Sequence, residues 1–335
     1  MALDALGNAV RATDEAIALY DIAVDRSLRH DGGVADAARA ATTADPSFAA
    51  AHALLALADP RDAADAMARA RRLAESATAF ERSLVDFVDT LLRVGMWDAL
   101  AAGRRHAAHH PGDLLGVGML GTIVERSTRI DVHEAVLDVY APSRRVHGDH
   151  PYLLCMVGFI VQEQGRFEEA GAMAARALDE QPTSVTAAHL LAHVRYETAD
   201  HTAGLAWLDT FRHDMHPGGD YVHHLGWHAA LHALELGDTD AVLGRLRSLA
   251  TASEDHTRHV VDTSTLLMRC RLHALLDDDT DPLQGRAAPP ASWLREMPSM
   301  YLGFHAAVAL AVAGRSDDLR RLAGAAPGMR MPGAG

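Results

Sequence analysis

From the N-terminus onward, apolar residues recur at intervals of three and four rather than two. Ala and Leu dominate and alternating β-branched runs are scarce, a pattern that predicts a chain of helices. An opening helix is predicted over 6–30, stopped by Asp31, Gly32 and Gly33, and a second from Val34 to just before Asp45 and Pro46. Helix pairs follow at 48–58 with 60–74 and at 78–94 with 97–109. Further on, 221–236 and 241–250 flank a turn at Gly237 and Asp238, another helix begins near His256, and a last one over 299–313 precedes a short partner. The acidic, proline-rich stretch 277–293 reads as an irregular loop and 324–335 as a disordered tail, leaving 1–323 as one domain.

The period behind these pairs is clearest over 151–182. Counting Pro151 as the first position, small residues fall at Gly158, Ala170 and Ala177, Gly165 sits in the turn and Pro182 closes the unit. Small residues at those places let two antiparallel helices approach closely, as in a tetratricopeptide repeat. The exit prolines Pro46, Pro111, Pro182 and Pro217 are separated by 65, 71 and 35 residues, close to multiples of a unit of about 34 residues. The predicted architecture is therefore all-α, a right-handed tetratricopeptide-repeat-like solenoid of antiparallel helix pairs with one continuous core.

Composition removes several classes of function. A formal charge of -14 disfavours nucleic acid and anionic membrane as partners. The sequence has no lysine, which excludes a pyridoxal phosphate imine and the P-loop lysine of nucleotide-binding proteins. Cys155 and Cys270 lie inside apolar helical runs without the spacing of a disulfide framework or a metal clip. The first residues show neither the basic, apolar layout of a signal peptide nor a membrane span, so a cytoplasmic protein is expected.

The chemistry is concentrated in histidine. His189 and His193 recur thirty-five positions later as His224 and His228, and residues four apart share a helix face. His189 and His224 each follow an exit proline by seven residues; His305 follows Pro298 by the same interval and His52 follows Pro46 by six. Equal offsets predict that these histidines face one concave surface, with His259 and Asp262 as further candidates on the next helix. Three readings stay open: a divalent metal held by His189, His193, His224 and His228, a neutral polar pocket, or incidental surface histidines. His106, His109, His110, His147, His150 and His201 fall near helix ends and read as solvated caps. Trp207 and Trp227 read first as packing.

The blocks VTAAHLLAHVRYETADHTAGLAWLD, HHLGWHAALHALELGD, VVDTSTLLMRCRL and LGFHAAVALAVAGR, in that order, resemble those of the tetratricopeptide repeat protein 38 family. DPSFAAAHALLAL, ERSLVDFVDTLLRVGMWDAL and FIVQEQGRFEEAGAMAARAL are similar to its N-terminal repeats. The resemblance implies a soluble tetratricopeptide-type solenoid and matches the family's histidines to His52, His189, His193, His224, His228 and His305, and its aspartate to Asp262. It departs where relatives have AHxHE and this chain has AHVRY, placing Arg195 and Tyr196 there, and where Gly303 and Phe304 replace an aspartate before the last histidine. The chain ends soon after the last block and is expected to be a C-terminally shortened member.

Two functions follow as expectations. The first is a histidine-lined pocket for a small molecule, with an acid/base or metal-assisted step carried by His189, His193, His224, His228 and Asp262. His52, Arg195, Trp227, His259, Arg269 and His305 would complete its lining, the arginines taking a carboxylate or phosphate. The second is a non-catalytic scaffold that takes a partner's peptide or helix in the groove. A homodimer is compatible with either.

Overall fold

A computed structural model describes residues 2–127, 131–213, 215, 221–250, 257–277 and 300–325. Among them are seventeen helices and one two-stranded antiparallel hairpin. No helix among the described residues is long and apolar enough to cross a membrane. The chain divides into two compact units, with the boundary inside one helix between Leu190 and Leu191.

The first unit opens with a hairpin rather than a helix. Strands β1 (Ala2–Leu3) and β2 (Ala9–Val10) pair in the register Ala2↔Val10. The Asp4 carboxylate accepts from the backbone N–H of Leu6 and of Asn8, and a sequence helix over 6–13 loses to this turn. Helix α1 (Asp14–Arg29) begins only where the Thr13 side chain accepts from Ala16 N–H and Asp14 and Glu15 meet the positive end of the dipole.

Five helix pairs or part-pairs follow in chain order: α2 (Val34–Ala44), α3 (Ala49–Ala58) with α4 (Ala63–Ala74), α5 (Ala79–Arg93) with α6 (Met96–His109), α7 (Leu114–Glu125) with α8 (Val132–His147), and α9 (Pro151–Glu163) with α10 (Phe167–Glu180). Each packs on the helix next to it in sequence. The small residues of the 151–182 unit behave as close-packing residues should. Ala170 and Ala177 are fully buried, a side chain at Gly158 would collide with Leu190, and Gly165 turns the chain at φ 77°.

The N-terminal segment runs along the first helices of successive pairs. α1 packs on α3 and α7, with Tyr20 fully buried 5.0 Å from Phe48, and β2 packs on α5. Thr78 Oγ1 donates to Ala9 O at 2.7 Å, and Arg11 N–H donates to the same Glu81 carboxylate that closes the α5 capping box. At the far end of α1, Thr186 Oγ1 donates to Leu28 O and Arg29 donates to Thr183 Oγ1.

The second unit begins partway along α11 (Val185–Glu197) and continues with α12 (His201–His213), α13 (Tyr221–Glu235), α14 (Thr239–Ala250), α15 (Thr257–Leu272), α16 (Met300–Val312) and α17 (Ser316–Ala325). Its main core gathers Leu231, Leu234, Val242, Leu246, Leu266, Leu267 and Cys270 from three helices. A smaller core joins Val260 and Val261 to Ala306, Ala309, Leu310 and Leu322. Pro217, Pro298, most of the 277–293 stretch and the tail from 326 lie outside the described residues; α17 runs to Ala325, past the expected start of the tail.

Candidate functional site

The second unit brings four of the candidate residues into one line. His193 stands on α11, His224 and His228 on α13, and Asp262 on α15. Residues 224 and 228 share a face because the α13 sequence HHLGWHAAL keeps them one turn apart. His224 Nδ1 lies 2.9 Å from Asp262 Oδ2, His228 Nε2 lies 3.2 Å from His224 Nε2, and the His228 and His193 rings pack with centroids 4.7 Å apart. Asp262 and His228 are buried, and His224 and His193 are half-buried.

Those distances admit one consistent set of tautomers for uncharged rings. A carboxylate at Asp262 only accepts, so a proton stands on His224 Nδ1, and a ring with no second proton presents a lone pair at Nε2. His228 must then donate through Nε2, which leaves its own lone pair on Nδ1. Burial pulls the His193 pKa down to about 4, with the nearby His224 acting in the same direction, so His193 is neutral at pH 7. His193 and His228 each offer a ring nitrogen, and the two lie within 4.8 Å of each other. Neutral imidazoles at that separation can share a hydrogen-bonded molecule or a divalent ion of the zinc or nickel kind.

Aromatic rings hold the line in place. Trp227 stacks on His224 with centroids 5.6 Å apart and planes inclined by 9°, and Tyr221 meets the same imidazole edge-on at 5.5 Å. The Arg269 guanidinium stands 5.7 Å from the Trp227 ring centroid. The indole N–H of Trp227 is buried and donates to nothing among the described residues.

His189 lies one turn before His193 on α11, with its ring 5.0 Å from Phe159. His52 is 3% exposed, with Nε2 donating to Pro46 O at 3.1 Å and burial lowering its pKa. Arg195 is engaged on α12, where it donates to Ala203 O and covers the Trp207 ring. His259 is buried in α15, and His305 is half-buried on α16 beside the exposed Phe304.

Two of the histidines expected as solvated caps are built into packing instead. His106 is fully buried, its Nδ1 3.0 Å from Ser83 Oγ and its Nε2 2.8 Å from Asp113 Oδ2. His201 pairs with His232 across 3.2 Å between Nδ1 atoms, Tyr196 packing edge-on against both. His232 had no place in the thirty-five-residue pattern. The signal for it is Gly204, since a Cβ there would sit 2.5 Å from the His232 ring. No protein-family model matches this chain.

Proposed function

We propose that the helix pairs are tetratricopeptide-type repeats and that the second unit uses the line Asp262–His224–His228–His193 to bind a small polar molecule and move a proton on it. What supports the repeat reading is regularity: α1, α3, α5, α7, α9, α11, α13 and α15 begin at Asp14, Ala49, Ala79, Leu114, Pro151, Val185, Tyr221 and Thr257, about one 34-residue unit apart each time. The observation that carries the chemical reading is the unbroken hydrogen-bonded run from a buried carboxylate through two imidazoles.

In such a run the carboxylate sets the tautomer of His224, His224 sets that of His228, and His228 Nδ1 is the atom that takes a proton. A proton taken at Nδ1 is matched by one passed from His228 Nε2 to His224 Nε2, leaving positive charge beside Asp262, where it is most stabilised. Neutral His193 supplies a second hydrogen-bonding edge, and the unused Trp227 N–H a donor. The peptide-scaffold reading is weaker, because in the first unit the faces that would take a peptide already carry the protein's own β-hairpin and α1.

The test is ligand-dependent melting of the full chain against a library of small polar metabolites, run on the wild type and on His228→Ala and Asp262→Asn. Bound ligand raises Tm by mass action. The expected result is at least one compound that raises Tm in the wild type and fails in both variants. Compounds that stabilise all three equally would remove the imidazole line from the site. Elemental analysis separates the metal case: a full equivalent of metal in the wild type, lost in His193→Ala, makes the line a ligand set rather than a proton path.

A further inference from the structure

A second polar cleft lies on the other side of α13. Successive helical residues are about 100° apart, so Gly226 projects nearly opposite to His224 and His228, and His223 about 100° away from His224. With Arg212 from α12 and Gly244, Arg245 and Ser248 from α14, they line a cleft of about 240 Å³.

Among the described residues two guanidiniums face one carboxylate, Asp209. Arg245 takes both oxygens of it at 2.7 and 2.6 Å, while Arg212 Nη1 stays 3.9 Å from the nearer one. Arg212 Nε donates to Val222 O, and its two amino groups donate to nothing among the described residues. The Nε of Arg245 is buried without a partner among the described residues. Burial lowers the Arg212 pKa, Asp209 opposes that fall and Arg245 adds to it, and the half-buried Arg212 makes no close ion pair among the described residues.

Glycines make the room. A Cβ at Gly226 would press on Arg212 Nη2 at 3.0 Å, so glycine lets that guanidinium lie against α13. A Cβ at Gly244 would meet nothing within 4 Å. Alanine would have served α14 better as a helix former, so the glycine costs helix stability and leaves a hollow instead.

We infer that this cleft binds a phosphate group, with Arg212 as the principal cation, Arg245 as the second, and the hollow over Gly244 receiving the oxyanion. Planar guanidiniums with unused N–H groups match tetrahedral oxyanions, and the net positive charge left after Asp209 is counted selects an anion. The hollow exceeds a bare tetrahedral ion, which favours the phosphate of a small monoester over the free ion.

The test is isothermal titration of the full chain with inorganic phosphate and, separately, with glycerol phosphate, in chloride buffer at matched ionic strength. Saturable one-site binding is expected, weakened at least tenfold in Arg212→Gln and in Gly244→Leu. The leucine fills the hollow and improves the helix, so it decides the matter if the arginine variant does not fold. Tighter binding of glycerol phosphate identifies a monoester site, and equal binding identifies a site for the ion itself. Heats that do not saturate, or affinities unchanged in Gly244→Leu, would overturn the assignment.

Discussion

Each unit contains a histidine hydrogen-bonded to an aspartate, and the two pairs differ in what the second ring nitrogen does. In the first unit His106 has no exposed side-chain surface, and its other nitrogen meets the Ser83 hydroxyl. Asp113 also accepts from Leu115 N–H and so caps α7. All the polar atoms of that pair are consumed in joining α5, α6 and the start of α7. In the second unit His224 is 12% exposed, and its other nitrogen leads to His228 and on to His193. A closed pair fastens helices, whereas an open-ended pair can pass a proton. Hydrogen-bond connectivity, and not residue type, separates the two roles.

Breaking the closed pair should cost most. His106→Ala leaves Asp113 buried without its imidazole partner, and a loss of about 3–5 kcal/mol is expected in urea unfolding. His224→Ala also strips a buried aspartate, but at a position partly open to water, and should cost about 1–3 kcal/mol and leave the helical circular dichroism unchanged. Equal losses in the two variants would erase the distinction. Next in size is a steric version of the same test. At Gly116 a Cβ would sit 2.6 Å from both Asp113 Oδ2 and His106 Nε2, so Gly116→Ala should destabilise by roughly 1–3 kcal/mol. Gly204→Ala, against the His232 ring, should cost a similar amount, read in the same denaturation curves.

Acid provides the third contrast. Burial, with His201 and Arg195 acting in the same direction, lowers the His232 pKa to about 4, below the unfolded value of 6.5. The unfolded chain therefore binds the proton first as pH falls. The stabilisation from keeping His232 neutral is complete above about pH 6.5 and is lost progressively down to about pH 4. At pH 5 the loss from this one group is roughly 2 kcal/mol. Melting at pH 7 and pH 5 should show a smaller drop for His232→Gln than for the wild type; parallel drops would show that His232 does not control it. The smallest effect is expected from Asp262→Asn, within about 1–2 kcal/mol of wild type in stability. Its signature is instead a change of His224 tautomer, read by imidazole nitrogen NMR, and no change would detach Asp262 from the line.

The helices were legible because their apolar period and turn glycines act locally. Gly165 and Gly237 turn the chain where the pattern breaks, and α2 spans the stretch the pattern marks. The pairing of His224 with His228 was legible for the same reason, since four residues on a helix make one turn. Long-range partners were not. The contact of His106 with Ser83 and the seating of His232 over Gly204 depend on how helices distant in sequence are rotated against each other, which no local period encodes. The opening hairpin was missed because an Asp4 turn competes with a helical period over only a few residues.

The bond from Thr186 to Leu28 joins residues 158 apart, so the end of α1 is made long before the helix it is fastened to. During synthesis α1 has to wait for α11 to emerge before its last partner exists. Closure of so long a loop is entropically costly and slow, so the Leu28 end of α1 stays without its last partner until α11 has been made. Tyr20, seated on Phe48, is covered much earlier, and the two ends of one helix settle at different stages of synthesis.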